Sequence, residues 1–356
     1  MNLSLERQRE LIKQVYCPPQ TSQKWTMEEL VGHPNILCFS LGRFALLEAL
    51  KITGIEPGDI VLVPGFICRD LLASINMLGA RPEFYPVMED LTLACDLGSL
   101  PAAKAVIAVN YFGFPQYLRP FADYCETAGA VLIEDNAHGL FSRDESGQLL
   151  GTRGDIGIFS LRKTVSMPDG AAMVINNLRY ESKPIVSTEI HNMGEPPSFR
   201  VKQALRKIVP AVGPAPLQWV TSVVRGVRKI RTGQELPAPD PNAEKTIPGS
   251  IEPCAKLHDY LESTDVGMEV SRRRELYLLV DKLLMDHDCR PVFKHLPDNT
   301  VPYLYPFYAK NDGISSIRKH LSKVGLDCFP WPELPDAIAP SAPEYYRQVW
   351  GVSFLW

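Results

Sequence analysis

Two stretches decide the fold of this chain: residues 131–140 read VLIEDNAHGL, and residues 151–174 read GTRGDIGIFSLRKTVSMPDGAAMV. In the first, an apolar run ends in an acid pair whose second member is Asp135. In the second, an apolar run ends at Ser160, and Lys163 follows almost at once. Short apolar runs bounded by polar and glycine residues predict buried strands. We therefore expect strands here that are followed directly by polar side chains.

Similar apolar runs recur on both sides of these stretches, and helix-like segments such as 43–51 and 70–79 lie between several of them. Strands that alternate with helices predict an α/β fold with a mostly parallel sheet covered by helices on both faces. Ligand sites in such sheets lie beyond the carboxyl ends of the strands, which is where Asp135, Ser160 and Lys163 fall. The predicted strands occupy residues 35–39, 60–64, 82–86, 104–109, 130–134, 155–159 and 171–175.

The composition is that of an ordinary globular protein, with 45% hydrophobic and 22% charged residues. The formal net charge of -4 gives no indication of a nucleic-acid partner. The eight cysteines are scattered, without CxxC pairs or Cys/His clusters, which predicts free thiols in a reducing cytoplasm and no metal site. The charged N-terminal residues lack the apolar core of a signal peptide, and no apolar run is long enough to span a bilayer.

The chain divides into a predicted large domain at 1–250 and a small C-terminal α/β domain at 256–356. Between them, residues 176–255 are irregular and rich in proline, which predicts loops or a linker. A helix is expected at 216–231. Basic clusters at both ends of 201–231 leave membrane contact open as a minor alternative to a loop or subunit contact. In the small domain we expect a helix at 271–284, strands around 291–296 and 301–309, and a helix at 314–325, in the order of the chain.

A buried carboxylate, a hydroxyl and a lysine at neighbouring strand ends are the groups needed to hold pyridoxal 5′-phosphate (PLP). The carboxylate would keep the pyridine nitrogen protonated, the hydroxyl would help to bind phosphate, and the lysine would form a Schiff base. The glycine turn and helix that begin at Gly42 and Arg43 also suit a phosphate. Taken singly, Asp135 fits a helix-capping acid and Lys163 a surface lysine, so the prediction rests on the combination.

Several segments together resemble the DegT/DnrJ/EryC1/StrS family of sugar aminotransferases, which have the fold-type I architecture of PLP-dependent transferases, similar to aspartate aminotransferase. The resemblance is good from about residue 35 to 175 and patchy afterwards. The small domain also resembles the family around 307–335. The matching segments are GIEPGDIVLVPGFIC at 54–68, MLGARPEFYPV at 77–87, KAVIAVNYFGFPQYLRPFADYCETAGAVLIEDNAHGLF at 104–141 and GTRGDIGIFSL at 151–161.

The resemblance implies a role for each matching residue. Asp135 would hold the pyridine nitrogen, and His138 stands near the phenolic oxygen of the cofactor, where the family usually has glutamine. Ser160, with Gly42 and Arg43, would bind phosphate. Lys163 would bond to the cofactor and carry protons between the substrate and cofactor carbons. The spacing from Lys163 to the acid-glycine pair at 169–170 agrees with the family.

The chain also departs from the family pattern. The interval from Ser160 to Lys163 is two residues shorter than usual, and alanine replaces the second glycine after residue 170. Cys68 stands at the position of the aromatic residue that stacks on the cofactor ring, and Phe66 is the nearest substitute. The segment that the partner subunit sends toward the phosphate is not recognisable between 176 and 265. Trp331 is expected either to line the substrate entrance or to serve only in packing.

These observations predict a PLP-dependent aminotransferase that transfers an amino group, from glutamate, to a keto group of a nucleotide-linked sugar in polysaccharide or glycan biosynthesis. A cytoplasmic homodimer is expected from the resemblance alone. One alternative is a PLP-dependent sugar dehydratase, but such members of the family typically carry histidine in place of Lys163. The other alternative is a catalytically impaired member that acts as a binding or scaffold protein. The sequence does not identify the sugar.

Overall fold

A seven-stranded mixed sheet forms the centre of the protein, in the spatial order β1-β7-β6-β5-β4-β2-β3. The structure, a computed structural model, describes residues 3–20, 24–181, 194–207, 209–213, 231, 240–310 and 312–355. The strands of the large sheet are β1 Ile36–Phe39, β2 Ile60–Pro64, β3 Arg81–Tyr85, β4 Ala105–Val109, β5 Val131–Asp135, β6 Ile156–Phe159 and β7 Ala171–Ile175.

All seven strands coincide with the predicted apolar runs to within a residue or two. The five strands from β6 to β3 run parallel, whereas β7 is antiparallel to both of its neighbours, β6 and β1. All residues of β4, β5, β6 and β7 are buried, as expected for strands covered on both faces. The predicted α/β class with a mostly parallel sheet is therefore confirmed.

Helices cover the sheet because their apolar residues recur on one side. The helix α3 packs on β1, β6 and β7, and α5 packs on β4 and β5. The helix α5 has proline in its first turn and ends at Gly129, whose left-handed backbone closes the last turn. The first seven described helices are α1 Leu5–Tyr16, α2 Met27–Val31, α3 Gly42–Ile52, α4 Leu72–Asn76, α5 Arg119–Ala128, α6 Pro197–Arg206 and α7 Val209–Val212.

A second, antiparallel sheet lies in the C-terminal part of the chain, in the order β10-β11-β9-β8. The expected strand around 291–296 is mostly wrong. Pro291 pairs with the neighbouring strand and the Val292 N–H donates to the Pro306 carbonyl at 3.1 Å, but the next residues turn into a loop. The strands are β8 Arg290–Pro291, β9 Leu304–Tyr308, β10 Cys328–Pro330 and β11 Val349–Ser353, and the accompanying helices are α8 Leu257–Glu262, α9 Val266–Leu284 and α10 Ile314–Val324.

One continuous hydrophobic core joins the two sheets, with Phe66 of the large sheet region and Tyr346 of the C-terminal region in contact. The predicted helix at 216–231 lies outside the described residues, except for Arg231. Of the 201–231 segment, the first six residues belong to α6. Within the described part of the chain, no helix combines the length and apolar character that crossing a membrane requires.

Candidate active site

The carboxyl ends of three neighbouring parallel strands meet at one edge of the large sheet. Asp135, the last residue of β5, lies beside Val109 of β4 and Ile158 of β6. Ser160 follows β6 directly, and Lys163 closes a single helical turn in which its N–H donates to the Ser160 carbonyl at 3.1 Å. The shortened interval between serine and lysine is thus one compact turn, which keeps both residues at the strand ends.

A cavity of about 230 Å³ opens at this edge. Asp70, Arg162 and Trp331 contribute to its wall beside the predicted residues. Seven of the predicted site residues line this one cavity, and they are Gly42, Arg43, Cys68, Asp135, His138, Ser160 and Lys163. Across the described residues, no group of three or more His, Cys, Asp or Glu side chains could hold a metal ion.

The two acids at the end of β5 face opposite sides of the sheet, as successive strand residues do. Glu134 is fully buried and accepts hydrogen bonds from the Asn110 side chain at 2.8 Å and from the Arg153 guanidinium at 2.6 and 2.8 Å. The Arg153 backbone N–H adds a fourth bond at 2.9 Å. Asp135 instead faces the cavity, where it accepts the Ala137 N–H at 2.9 Å.

Burial raises the pKa of the Asp135 carboxyl, against the opposing effects of the Ala137 N–H and of Lys163. Burial likewise lowers the pKa of the Lys163 amine, although Asp135 pulls it upward. The charged forms of both groups, the carboxylate and the ammonium, are therefore less favourable in this cavity than in water. Perturbed pairs of this kind cluster at functional sites.

His138 lies beside the lysine, with its Nε2 at 2.9 Å from Lys163 Nζ. Its ring stacks with Phe112, at 5.6 Å with an interplanar angle of 5°, and with Tyr303, at 4.8 Å and 7°. Burial, followed by the nearby lysine, lowers the pKa of His138 well below its usual value. Sequence analysis missed both stacking partners, because Phe112 reads as a loop residue and Tyr303 comes from the C-terminal part of the chain.

Another part of the cavity lining is rich in hydrogen-bond donors. The helix α3 begins at Gly42, and its preceding residue, Leu41, provides no side-chain cap. The first N–H groups of a helix have no partners within the helix, so this end is suited to an anion. Arg43 lines the cavity and pairs with Asp70 at 3.4 Å, and Arg162 contributes a second guanidinium to the lining.

Phe66 does not occupy the position expected of it. Its side chain is fully buried and packs against Tyr111, Trp331 and Tyr346 at centroid distances of 5.6, 5.2 and 5.1 Å. It therefore lies behind the cavity wall, where it cannot stack on a ligand, because the chain turns between Phe66 and Cys68. Cys68 does line the cavity, and burial raises the pKa of its thiol.

Trp331 reaches the cavity from the C-terminal region on a loop that Arg69 holds in place. The Arg69 side chain is only 8% exposed and contacts Glu244 at 3.3 Å, Glu333 at 3.2 Å and Asp336 at 2.7 Å. Its backbone N–H also donates to the Glu333 carbonyl at 2.8 Å. One arginine thus fixes the Trp331 loop against the turn that carries Cys68.

The acid-glycine pair after the lysine joins three segments. Asp169 accepts the Cys254 N–H at 2.8 Å, and the Gly170 N–H donates to the Ser40 carbonyl at 2.7 Å, just before Gly42. Gly170 has a φ of 146°, and a Cβ there would lie 2.5 Å from the sulfur of Met167. Glycine is required at this position to bring the turn before Gly42 beside the lysine segment.

A buried ionic cluster in α9 secures the lysine loop from behind. Glu269 accepts bonds from Arg272 and Arg273, and all three side chains are at most 2% exposed. Arg273 also donates to the Thr164 carbonyl at 3.0 Å and to the Tyr303 carbonyl at 2.8 Å. The sequence pattern indicated only a charged helix here, because periodicity does not distinguish a buried arginine from a solvated one.

A sequence profile of the DegT/DnrJ/EryC1/StrS aminotransferase family matches residues 24–204, half of the chain. The chain belongs to this family. A family relative, protein MosB of Rhizobium meliloti, is 31% identical over 180 residues, which cover 48% of this chain and 34% of MosB. The chain thus spans about a third of the length of MosB. GDP-perosamine synthase of Vibrio cholerae is 26% identical over 318 residues, which cover 83% of this chain and 81% of the synthase.

Solved structures of the family share this fold at low sequence identity. DesV of S. venezuelae is 19% identical with a TM-score of 0.58, and the match covers 98% of this chain and 89% of DesV. An E coli GDP-4-keto-6-deoxy-D-mannose-3-dehydratase with bound hydrated PLP is 14% identical with a TM-score of 0.56, covering 99% and 93%. The predicted fold-type I architecture is confirmed. Because an aminotransferase family and a dehydratase share it, the fold alone does not select the reaction.

Proposed function

We propose that this protein is a PLP-dependent aminotransferase that transfers an amino group from glutamate to a keto group of a nucleotide-linked sugar. The observation that carries the proposal is the single cavity that Lys163, Asp135 and the uncapped N-terminus of α3 line together. Relatives described as GDP-perosamine synthase and as a dTDP-sugar 4-aminotransferase support the substrate class. A cytoplasmic homodimer that serves glycan biosynthesis belongs to the same proposal.

The residues of the cavity fit both the phosphate and the pyridine nitrogen of PLP. The first N–H groups of α3, the Ser160 hydroxyl and the guanidinium of Arg43 would hold a dianionic phosphate. Asp135 would accept a hydrogen bond from a protonated pyridine nitrogen, and that positive charge would favour the ionised carboxylate that burial alone disfavours. When bound, PLP supplies an electron sink for the carbon that carries the amino group.

Lys163 has two tasks in this proposal. Its amine would hold the cofactor at rest, and once released it would move a proton at the reacting carbon as a general base and acid. Burial lowers the pKa of this amine, which increases the fraction that can accept a proton near neutral pH. A lysine at this position favours amino transfer over dehydration, since dehydrating members of the family typically have histidine there.

The proposal predicts a visible absorbance band when purified protein is mixed with PLP. Borohydride should reduce the species responsible, and mass spectrometry should place the added mass on Lys163. The Lys163→Ala variant should lose the band, whereas Lys319→Ala, which removes an exposed lysine of α10, should keep it. Absence of a band in the wild type at saturating PLP would overturn the proposal and favour a binding or scaffold role.

The substrate class needs a second measurement. Protein loaded with the cofactor and glutamate should convert a nucleotide-linked 4-keto sugar to the amino sugar, which mass spectrometry would detect. GDP-linked and dTDP-linked ketosugars should be compared, since relatives with either nucleotide in their names match this chain. Deoxygenated product without added nitrogen would instead indicate dehydration.

A further inference from the structure

The hydrogen bonds around His138 determine which of its ring nitrogens carries the proton. Nδ1 lies 3.2 Å from the backbone N of Phe112, and Nε2 lies 2.9 Å from Lys163 Nζ. A backbone N–H can only donate, so it requires a lone pair on Nδ1. A neutral imidazole has one lone pair and one N–H, which places the proton on Nε2, facing the lysine.

This tautomer restricts the protonation state of Lys163. An ammonium group has three donors and no acceptor, so it cannot receive the Nε2–H of His138. A neutral amine has the lone pair that is needed. The reverse arrangement, an ammonium that donates to Nε2, would leave an N–H on Nδ1 directed at the N–H of Phe112, and an imidazolium would create the same conflict.

The ring cannot easily escape this geometry. Phe112 and Tyr303 both stack with it, and Trp331 meets it nearly edge-on at 5.5 Å and 69°. A half-turn of the ring would bring a carbon to the Phe112 N–H and leave that buried donor without a partner, which is unfavourable. The backbone therefore fixes the orientation of the imidazole.

The other groups near the amine shift the pKa of Lys163 in opposite directions. Asp135, Cys68 and Asp70 favour the ammonium and Arg162 opposes it, but burial is the largest influence and lowers the pKa of Lys163. Tyr303 lies 5.7 Å from Nζ, at the outer limit of cation–π attraction. Burial and the His138 donor thus act in the same direction.

We propose that His138 is a positioning residue that donates from Nε2 to Lys163 Nζ and so holds the amine as its free base before the cofactor binds. The relevance to catalysis rests on the proposed function, since only a neutral amine can bond to a carbonyl carbon. The hydrogen bond itself belongs to the protein without cofactor, and it can be tested there.

The first test determines the tautomer directly. Protein with ¹⁵N-labelled histidine is studied without cofactor by NMR, and His138→Gln identifies the signals of this residue by their loss. We expect a neutral ring protonated on Nε2 throughout the range from about pH 6 to pH 8, where exposed histidines titrate. In Lys163→Met, the Nε2 resonance should shift while the tautomer is retained. A ring protonated on Nδ1, or an imidazolium, would overturn the proposal.

The second test measures the lysine. Trace acetylation of the cofactor-free protein is followed across roughly pH 6 to 11 by mass spectrometry, with exposed Lys319 as the internal reference. The apparent pKa of Lys163 should lie below that of Lys319 in the wild type and in His138→Gln, whose amide can accept from Phe112 and donate to the lysine. His138→Glu has the shape of the glutamine variant but, as a carboxylate, offers only acceptors. Relative to His138→Gln, it should slow Lys163 labelling near neutral pH at least about tenfold, which corresponds to one pKa unit.

Equal labelling profiles for Lys163 and Lys319 in the wild type would refute the proposal. Equal Lys163 labelling rates in His138→Gln and His138→Glu would also refute it. The protonation of the lysine would then not depend on whether residue 138 donates a hydrogen bond or only accepts one. Both tests omit cofactor and substrate. Failure of the protein to bind PLP would therefore overturn the proposed function alone, and it would leave these results interpretable.

Discussion

Replacing each acid at the end of β5 by its amide should separate the structural role of Glu134 from the functional role of Asp135. Glu134→Gln should destabilise the fold, because Arg153 would lose the charged partner to which it donates three hydrogen bonds. Asp135→Asn should not, because asparagine can still accept the Ala137 N–H.

The expected loss for Glu134→Gln follows from the burial of the pair. Glu134 is fully buried and the Arg153 side chain is 10% exposed, and removing one member of such a pair costs about 3–5 kcal/mol. Asp144, at 3.7 Å from Arg153, offers a partial replacement and favours the lower value, about 3 kcal/mol. At about 2 °C per kcal/mol for a large chain, Tm should fall by about 6 °C.

The direction of the stability change for Asp135→Asn follows from the raised pKa of Asp135. The fold favours the protonated carboxyl, so this contribution to stability is present below the unfolded pKa of about 3.9 and is lost as the pH rises through the folded value. Asparagine has no charged form, so it avoids the burial of a carboxylate that the fold disfavours. Tm of the cofactor-free variant should be equal to or above that of the wild type, while PLP binding weakens.

Thermal unfolding of the cofactor-free proteins at neutral pH, followed by circular dichroism, measures both effects, and a PLP titration completes the comparison. An unchanged Tm for Glu134→Gln would refute the reasoning about the buried pair. A large loss for Asp135→Asn, similar to that of its neighbour, would show that Asp135 is a structural acid as well.

Two further substitutions test the residues that hold the Lys163 segment in place. Gly170→Ala should lower the free energy of unfolding by about 2 kcal/mol in urea titrations, because alanine is strained at this φ and its Cβ would contact Met167. Gly129→Ala is the control. Gly129 also has a positive φ, but no atom lies within 4 Å of the added Cβ, so this variant measures backbone strain without a steric contact. Arg273→Met should destabilise by about 3 kcal/mol and raise the Kd for PLP, because it removes a buried charge partner and leaves the Thr164 carbonyl unpaired. An unchanged Kd would show that the lysine loop holds its shape without Arg273.

The strands of the large sheet could be predicted because each is a short apolar run bounded by polar or glycine residues. Their parallel order then places Asp135, Ser160 and Lys163 at one edge, and the structure brings these three residues into one cavity. Local sequence predicts these features because a strand end is visible in the sequence itself. Strands joined by helices run parallel, so their carboxyl ends lie at the same edge of the sheet.

Tertiary contacts account for what the sequence did not reveal. Tyr303 reaches His138 from a segment 165 positions away in the chain, and no local pattern encodes that meeting. Phe66 was expected at the cavity, but its neighbours draw it into the core. The expected strand at 291–296 fails for a similar reason, because a strand requires a partner, and only β8 finds one along β9.

Salt should act unevenly on the walls of the cavity. Two of the three acids that hold Arg69 are substantially exposed, Glu333 at 46% and Asp336 at 70%, whereas Glu244 is 16% exposed. Salt weakens exposed ion pairs more than buried ones, so it should act mainly on the first two. The walls formed by strand ends depend on buried backbone bonds, which ions do not reach. Raising the ionic strength should therefore loosen the segment of Glu333 and Asp336 first. Trp331 itself should stay in place, because its N–H donates to the Val349 carbonyl at 3.0 Å and its ring packs on Phe66 and Phe112.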